Sequence, residues 1–264
     1  MIFETHAHYD DERFDNDRDL LIQNLLSGRI CDIVNVGASI ESTKTTLALA
    51  EKYDHVYAAV GVHPSETEEL NEEWIAWLKE QANHPKTVAV GEIGLDYYWE
   101  KEEEQKKRQT YWFKRQLQLA KEVSLPVIIH SREAAEDTMQ ILKQFHAQDI
   151  PCVIHCYSYS PEMAKEFVKM GFYIGVGGVV TFKNAKKLRE TVLQVPLNKI
   201  LLETDAPYMA PEPYRGKRND SGKLVYVAEK IAEIKGVDVE EVEDVTRRNA
   251  EGVFGVGRDV GVED

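Results

Sequence analysis

Eight short apolar, β-branched runs alternate along the chain with longer amphipathic stretches, and this alternation limits the possible folds more than any other feature. The runs cover 2–6, 32–37, 56–60, 87–92, 126–130, 152–155, 173–176 and 199–203. Some, such as Val127-Ile128-Ile129, are apolar without a break, as parallel strands buried on both faces are. Helical periodicity fills 18–26, 41–52, 72–82, 104–123, 134–145, 161–170 and 184–193, and two more helices, 223–235 and 239–249, follow the last run. Eight strand–helix units in 264 residues predict an α/β chain folded as a single-domain, TIM-like (β/α)8 barrel over 1–255, with a fraying tail at 256–264. A doubly wound open sheet is the competing architecture, but the first turn lacks the Gly-x-Gly-x-x-Gly phosphate loop of its nucleotide-binding form.

In a parallel barrel the C-terminal strand ends converge on one face, and active sites form there. Residues able to hold a metal stand at those ends: His6 and His8 after strand 1, Glu92 closing strand 4, His130 strand 5, His155 strand 6, and Asp205 just past strand 8. The His-x-His spacing has a geometric basis. Residues i and i+2 of a strand point the same way, about 6.5–7 Å apart, so two imidazoles can grip one cation from one side. One such pair is weak on its own. Four of the eight histidines and two carboxylates at strand ends of one polarity are not readily a chance arrangement. Borderline divalent ions accept this donor set, and Mg, Mn, Zn or a similar ion all remain open. Two such ions against two ligand carboxylates would leave the site net positive, able to attract an anion and to acidify a water. Asp205 is the candidate general base.

Other residues fall near the same face. His63 follows strand 3, placed for substrate binding or for a loop hydrogen bond. Asp10 and Asp11 read as loop caps, and Asp96 as a brace for a ligand or part of a lid with Tyr97-Tyr98-Trp99. Arg132, and Arg215, Lys217 and Arg218 in the loop after strand 8, are the candidate anion binders of an acidic chain. Cys152 and Cys156 share one strand face about 13 Å apart, too far for a shared zinc or a disulfide. Both are expected to point away from His155 and into the helix layer.

The net charge of −14 argues against long-range attraction to duplex nucleic acid, although bound cations can reverse the field inside a pocket. Three cysteines, an N-terminus without a basic and apolar leader, and no apolar run of membrane-spanning length give a cytoplasmic expectation, with no membrane and no readable obligate protein partner.

The segments Thr5-His6-Ala7-His8, Gly61-Val62-His63-Pro64, Gly91-Glu92-Ile93-Gly94-Leu95-Asp96, His130-Ser131-Arg132, His155-Cys156-Tyr157-Ser158, Val180-Thr181-Phe182-Lys183-Asn184, Leu202-Glu203-Thr204-Asp205-Ala206-Pro207 and Arg215-Gly216-Lys217-Arg218-Asn219 together resemble the TatD family of metal-dependent deoxyribonucleases. The resemblance runs in order from residue 2 to about 254. It implies two divalent cations on His6, His8, Glu92, His130, His155 and Asp205, and hydrolysis of DNA phosphodiesters, often as a 3′–5′ exonuclease. Glu92, whose two oxygens can touch both ions, is the candidate bridge and catalytic residue beside Asp205, a choice that draws on the resemblance too. The family usually has Asp where this chain has Glu4, which strand parity puts on the face of His6 and His8. The alternative chemistry on the same metals is hydrolysis of an amide, ester or aminoacyl linkage, since the fold alone does not choose the bond.

Overall fold

The computed structural model describes residues 1–145 and 149–257; the tail expected to fray lies outside them from residue 258 on. Eight parallel strands, β1 (Ile2–Ala7), β2 (Ile30–Val36), β3 (Val56–Val60), β4 (Thr87–Asp96), β5 (Val127–Arg132), β6 (Cys152–Ile154), β7 (Tyr173–Val176) and β8 (Ile200–Leu202), pair in sequence order. A bridge between Ala7 and Ala206 brings the last strand round to the first, helped by His8 N–H donating to the Ala206 carbonyl at 2.8 Å and Asp205 N–H to the His6 carbonyl at 2.9 Å. This is the expected TIM-like barrel.

Helices α1 (Arg18–Leu26), α2 (Ile40–Lys52), α3 (Glu72–Gln81), α4 (Glu103–Val123), α5 (Ala135–Gln144), α6 (Pro161–Lys169), α7 (Lys186–Gln194), α8 (Leu224–Lys235) and α9 (Val239–Phe254) accompany the strands, with short 3-10 turns such as Glu12–Phe14 between elements. Local chemistry sets their starts. Ser39 caps α2 by accepting from Ser42 N–H, and Ser160 caps α6 just before Pro161. Glu102 and Gln105 form a capping box on α4, where acids precede bases.

Three boundaries differ from the sequence expectation in ways that matter. β4 runs four residues past Glu92, because it stays paired with β5 beyond the rim, Gly94 beside His130 and Asp96 beside Arg132. Glu92 therefore sits within a strand, where the register shifts between Val90 and Ile93. β8 stops at Leu202, so Glu203 and Asp205 lie on the outgoing turn. α9 continues to Phe254 because Val253 and Phe254 have an apolar mouth to fill.

The larger apolar cluster lies between strands and helices, with Ile22, Leu47, Leu78, Phe113 and Phe167 among its members. The smaller one fills the barrel: Phe3, Val36, Ala59, Ala89, Ile128, Val153 and Leu201 meet Ala250, Val253 and Phe254 of α9. Strand alternation carries the same faces upward from Ile128 to His130, Val153 to His155 and Leu201 to Glu203. The inward apolar layer thus hands over to titratable side chains at the C-terminal end.

Candidate metal centre

All six expected ligands meet above this layer. His6 and His8 leave β1 with their Nε2 atoms 3.2 Å apart. Glu92 reaches between two groups. Its Oε2 lies 3.6 Å from His6 Nε2 and 3.8 Å from His8 Nε2. Its Oε1 lies 2.7 Å from His130 Nδ1 and 3.9 Å from His155 Nε2. Asp205, at φ 58°, turns Oδ1 back to 3.4 Å from His8 and 3.6 Å from His155. Gly94 lets β4 pass close: a Cβ there would come within 1.9 Å of the His130 carbonyl oxygen.

The imidazoles are held from behind. His8 Nδ1 is 2.8 Å from the Val36 carbonyl, His130 Nε2 is 3.0 Å from Asp96 Oδ2, and His155 Nδ1 is 3.1 Å from Glu203 Oε2. The last pair is close but too misaligned for a hydrogen bond, so both atoms, and His6 Nδ1, stay buried without one. Rear acceptors fix which ring nitrogen faces the centre, as they do for histidines that ligate metals. Convergent nitrogen and carboxylate donors, with buried atoms left unsatisfied, fit a divalent cation chemically.

Charge inside the centre is self-compensated by protons. Burial alone would lower the pKa of His8, His130 and His155. For His8 the hydrogen bond and charge of Asp205 win and raise it to about 9. Glu92 and Asp96 raise His130 to about 9, and Glu203 raises His155 to about 10. Burial opposes ionisation of Glu92 and Asp205, yet the surrounding imidazoles hold both below the usual carboxylate range. A cation entering here displaces protons.

His63 behaves differently. Its Nδ1 accepts the Ser65 N–H at 3.2 Å, so the proton of the neutral ring is on Nε2, 3.8 Å from Glu92 Oε1. Burial and the charge of His130 push its pKa down to about 3. It thus faces the centre as a neutral donor, although it groups with Glu92 and His130 by distance.

A cavity of about 640 Å³ opens over the centre, lined by His8, His63, Glu92, His130, His155 and Asp205 among others. Six carboxylate residues line it, namely Asp10, Asp11, Glu92, Asp96, Glu203 and Asp205, and Arg132 is the one lysine or arginine among the lining residues. The net-positive site expected from two ligand carboxylates is therefore corrected: two divalent ions would bring this cavity near neutrality.

Four further corrections concern side-chain direction. Arg218 holds Asp17 at 2.7 and 2.6 Å, which removes it as a free cation. Arg215 lies against the Phe182 ring at 4.3 Å, and neither it nor Lys217 lines the cavity, because the loop is folded back by Asn219 onto Pro207 and Thr204. Cys156, expected to face outward, lines the cavity because its backbone turns to φ 45° after β6. Cys152 is buried in the outer core as expected. Glu4 does not share the face of His6 and His8: the register of β1 shifts after it, and its carboxylate accepts from Thr204 N–H at 2.9 Å and Thr204 Oγ1 at 2.7 Å.

Sequence reasoning gave Glu203 no role, although it precedes Asp205 by two residues and continues the inward face of Leu201. Asp96 does brace His130, and Asp11 caps the turn at Glu12–Phe14.

The TatD related DNase family model matches residues 3–255, and the chain belongs to that family. It is 43% identical over 254 residues to YabD of Bacillus subtilis (strain 168), named an uncharacterized metal-dependent hydrolase, covering 96% of this chain and 99% of that one. It is 35% identical to YcfH of Escherichia coli (strain K12), likewise named, over 96% of each chain. The crystal structure of YjjV, a TatD homolog from Escherichia coli K12, superposes with a TM-score of 0.89 at 32% identity, covering 97% of this chain and 98% of that one. The chain is a metal-dependent hydrolase of this family. Among the described residues no helix is long and apolar enough to cross a membrane.

Proposed function

We propose that this TatD-family hydrolase cleaves DNA phosphodiesters, as a 3′–5′ exonuclease, with two divalent cations. His6, His8, Asp205 and Glu92 Oε2 would hold one ion; His130, His155 and Glu92 Oε1 would hold the other. The observation that carries this reading is the division of the two Glu92 oxygens between two sets of imidazoles. Bound ions supply an acidified water and neutralise charge on the phosphoryl group. Asp205, kept ionised by His8 and His155, accepts the proton of the attacking water. His63 offers its Nε2–H to a phosphoryl oxygen as a neutral donor, and Arg132 pairs with a neighbouring phosphate.

The test compares hydrolysis of single-stranded and 3′-recessed DNA by protein loaded with Mg²⁺, Mn²⁺ or Zn²⁺ against chelated protein, beside amide and ester substrates. Stepwise release of nucleotides from 3′ ends is expected. Turnover of amides or esters with none of DNA would overturn the reading. Asp205→Asn retaining full turnover would remove its role as base.

A further inference from the structure

We propose that Trp99, with Tyr98 and Arg132, is a platform on which an unpaired base of the substrate stacks, and that Asp96 fixes this platform relative to the metal centre. The proposal rests on the reading of the centre as acting on nucleic-acid phosphodiesters.

Trp99 lines the cavity mouth yet is 68% exposed, and Tyr98 beside it is 37% exposed. Two large rings left in water at the edge of a site are a poor use of apolar surface unless something covers them. The rings meet edge to face, centroids 4.7 Å apart at 84°, so they form a corner. The Arg132 guanidinium lies 3.9 Å over Tyr98 and 5.5 Å from Trp99, and no carboxylate pairs with it among the described residues. The opposite rim shows the contrast. There Arg13 lies 4.1 Å over Tyr208, but Asp11 neutralises it at 3.0 Å. Of these two rims, the Trp99 side is the one that offers aromatic faces together with a cation that has no carboxylate partner among the described residues, the combination that holds single-stranded nucleic acid.

The platform is tied to the centre through one buried carboxylate. Asp96 Oδ1 accepts the N–H groups of Tyr98 at 2.9 Å and Trp99 at 3.1 Å, while Oδ2 lies 3.0 Å from His130 Nε2. Gln109 of α4 clamps the Asp96 backbone from both sides, at 2.9 and 3.1 Å. Tyr97 N–H donates to the Arg132 carbonyl at 2.9 Å, which fixes the arginine beside the ring pair. A base stacked on Trp99 is thereby set at a fixed distance from His130. Such a base must be unpaired, since a duplex hides its faces.

The experiment measures binding by calorimetry to metal-loaded protein of an oligothymidylate with phosphorothioate linkages and of a base-free backbone of the same length and charge. Wild type is expected to bind the thymidylate about tenfold more tightly, in keeping with the stacking of one base on an aromatic ring. Trp99→Ala should shrink that gap to within about twofold, and Trp99→Phe should keep most of it. A structural defect would weaken both ligands alike and leave the gap. Equal binding of the two by wild type, or a gap that survives Trp99→Ala, overturns the platform. No binding of either ligand overturns both the platform and the reading beneath it. A gap that persists without any DNA hydrolysis strikes the cleavage reading alone, and hydrolysis without a gap strikes the platform alone.

Discussion

The two ends of the barrel are built on opposite terms. At the N-terminal mouth, Phe3 stacks with Phe254 at 6.0 Å, and Val253 and Ala250 close the rest with apolar surface. At the C-terminal end, imidazoles and carboxylates are buried, and His6 Nδ1, His155 Nδ1 and Glu203 Oε2 have no hydrogen bond. Left-handed backbone also gathers there, at Cys156 (φ 45°), Asp205 (φ 58°) and Met209 (φ 47°). Stability drawn from one end offsets polar burial and strain at the other, a division that barrel enzymes show generally.

That contrast makes opposite predictions for substitutions at the two ends. Glu92→Gln removes the carboxylate between the two sets of imidazoles, and turnover should fall about a thousandfold as electrostatic stabilisation is lost. Its bound metal, measured by mass spectrometry, should fall, while the chelated protein should stay folded, since the imidazoles left without their carboxylate can release protons. A Glu92→Gln protein that lost its fold instead would break the contrast. At the other end, Phe254→Ala should cost about 3 kcal/mol in denaturant unfolding, the usual range for emptying a buried aromatic site. Its metal content and turnover per folded molecule should stay at wild-type values, and a loss of metal would show that the two ends are coupled.

Legibility in the sequence follows the same division. The inward apolar layer is regular, so alternation read from Val153 correctly places His155, and the strand order follows from chain order alone. Prediction failed where the chain leaves the strands. Cys156 is one residue past a strand end, and a single left-handed residue turned its thiol toward the cavity. Arg218 was a cation of a basic loop in sequence, but only tertiary folding brings Asp17 to it from 201 residues away. Parity assigned Glu4 to the wrong face because a register shift within β1 leaves no mark in composition.

Glu4 offers the next test. It is fully buried, and desolvation outweighs its hydrogen bonds from Thr204 and the His6 N–H, raising its pKa from 4.5 to about 7. A carboxyl raised in the folded state contributes stability that is complete below the unfolded value and is lost as pH rises through the folded one. The metal-free protein should therefore lose on the order of 2–3 kcal/mol from this group between about pH 4.5 and 7. The comparison is urea unfolding of Glu4→Gln and wild type across that window. The wild-type slope should exceed that of the variant; identical slopes would mean that Glu4 stays ionised on its three donors, and that the polar end costs less than the contrast supposes.

The smallest expected effect is at Glu203. It is 1% exposed, accepts the Cys156 N–H on Oε1 at 2.6 Å, and sets Oε2 behind His155. Gly175 makes room for it, since a Cβ there would come within 2.2 Å of Oε2. Glu203→Gln keeps the volume and the acceptor for Cys156, so the amide NH₂ is left facing His155 Nδ1. Donating to that nitrogen forces the ring proton onto Nε2, the atom that faces the centre. Metal affinity should fall about 10–100-fold, the range for outer partners of ligating histidines, and excess metal should restore turnover. The chelated variant should stay folded, because His155, without the carboxylate that holds its proton, can become neutral. Full affinity at limiting metal would reduce Glu203 to a partner for one backbone N–H, and would mean that His155 is oriented by its stacking on His6, 3.5 Å between ring centroids, instead of by charge.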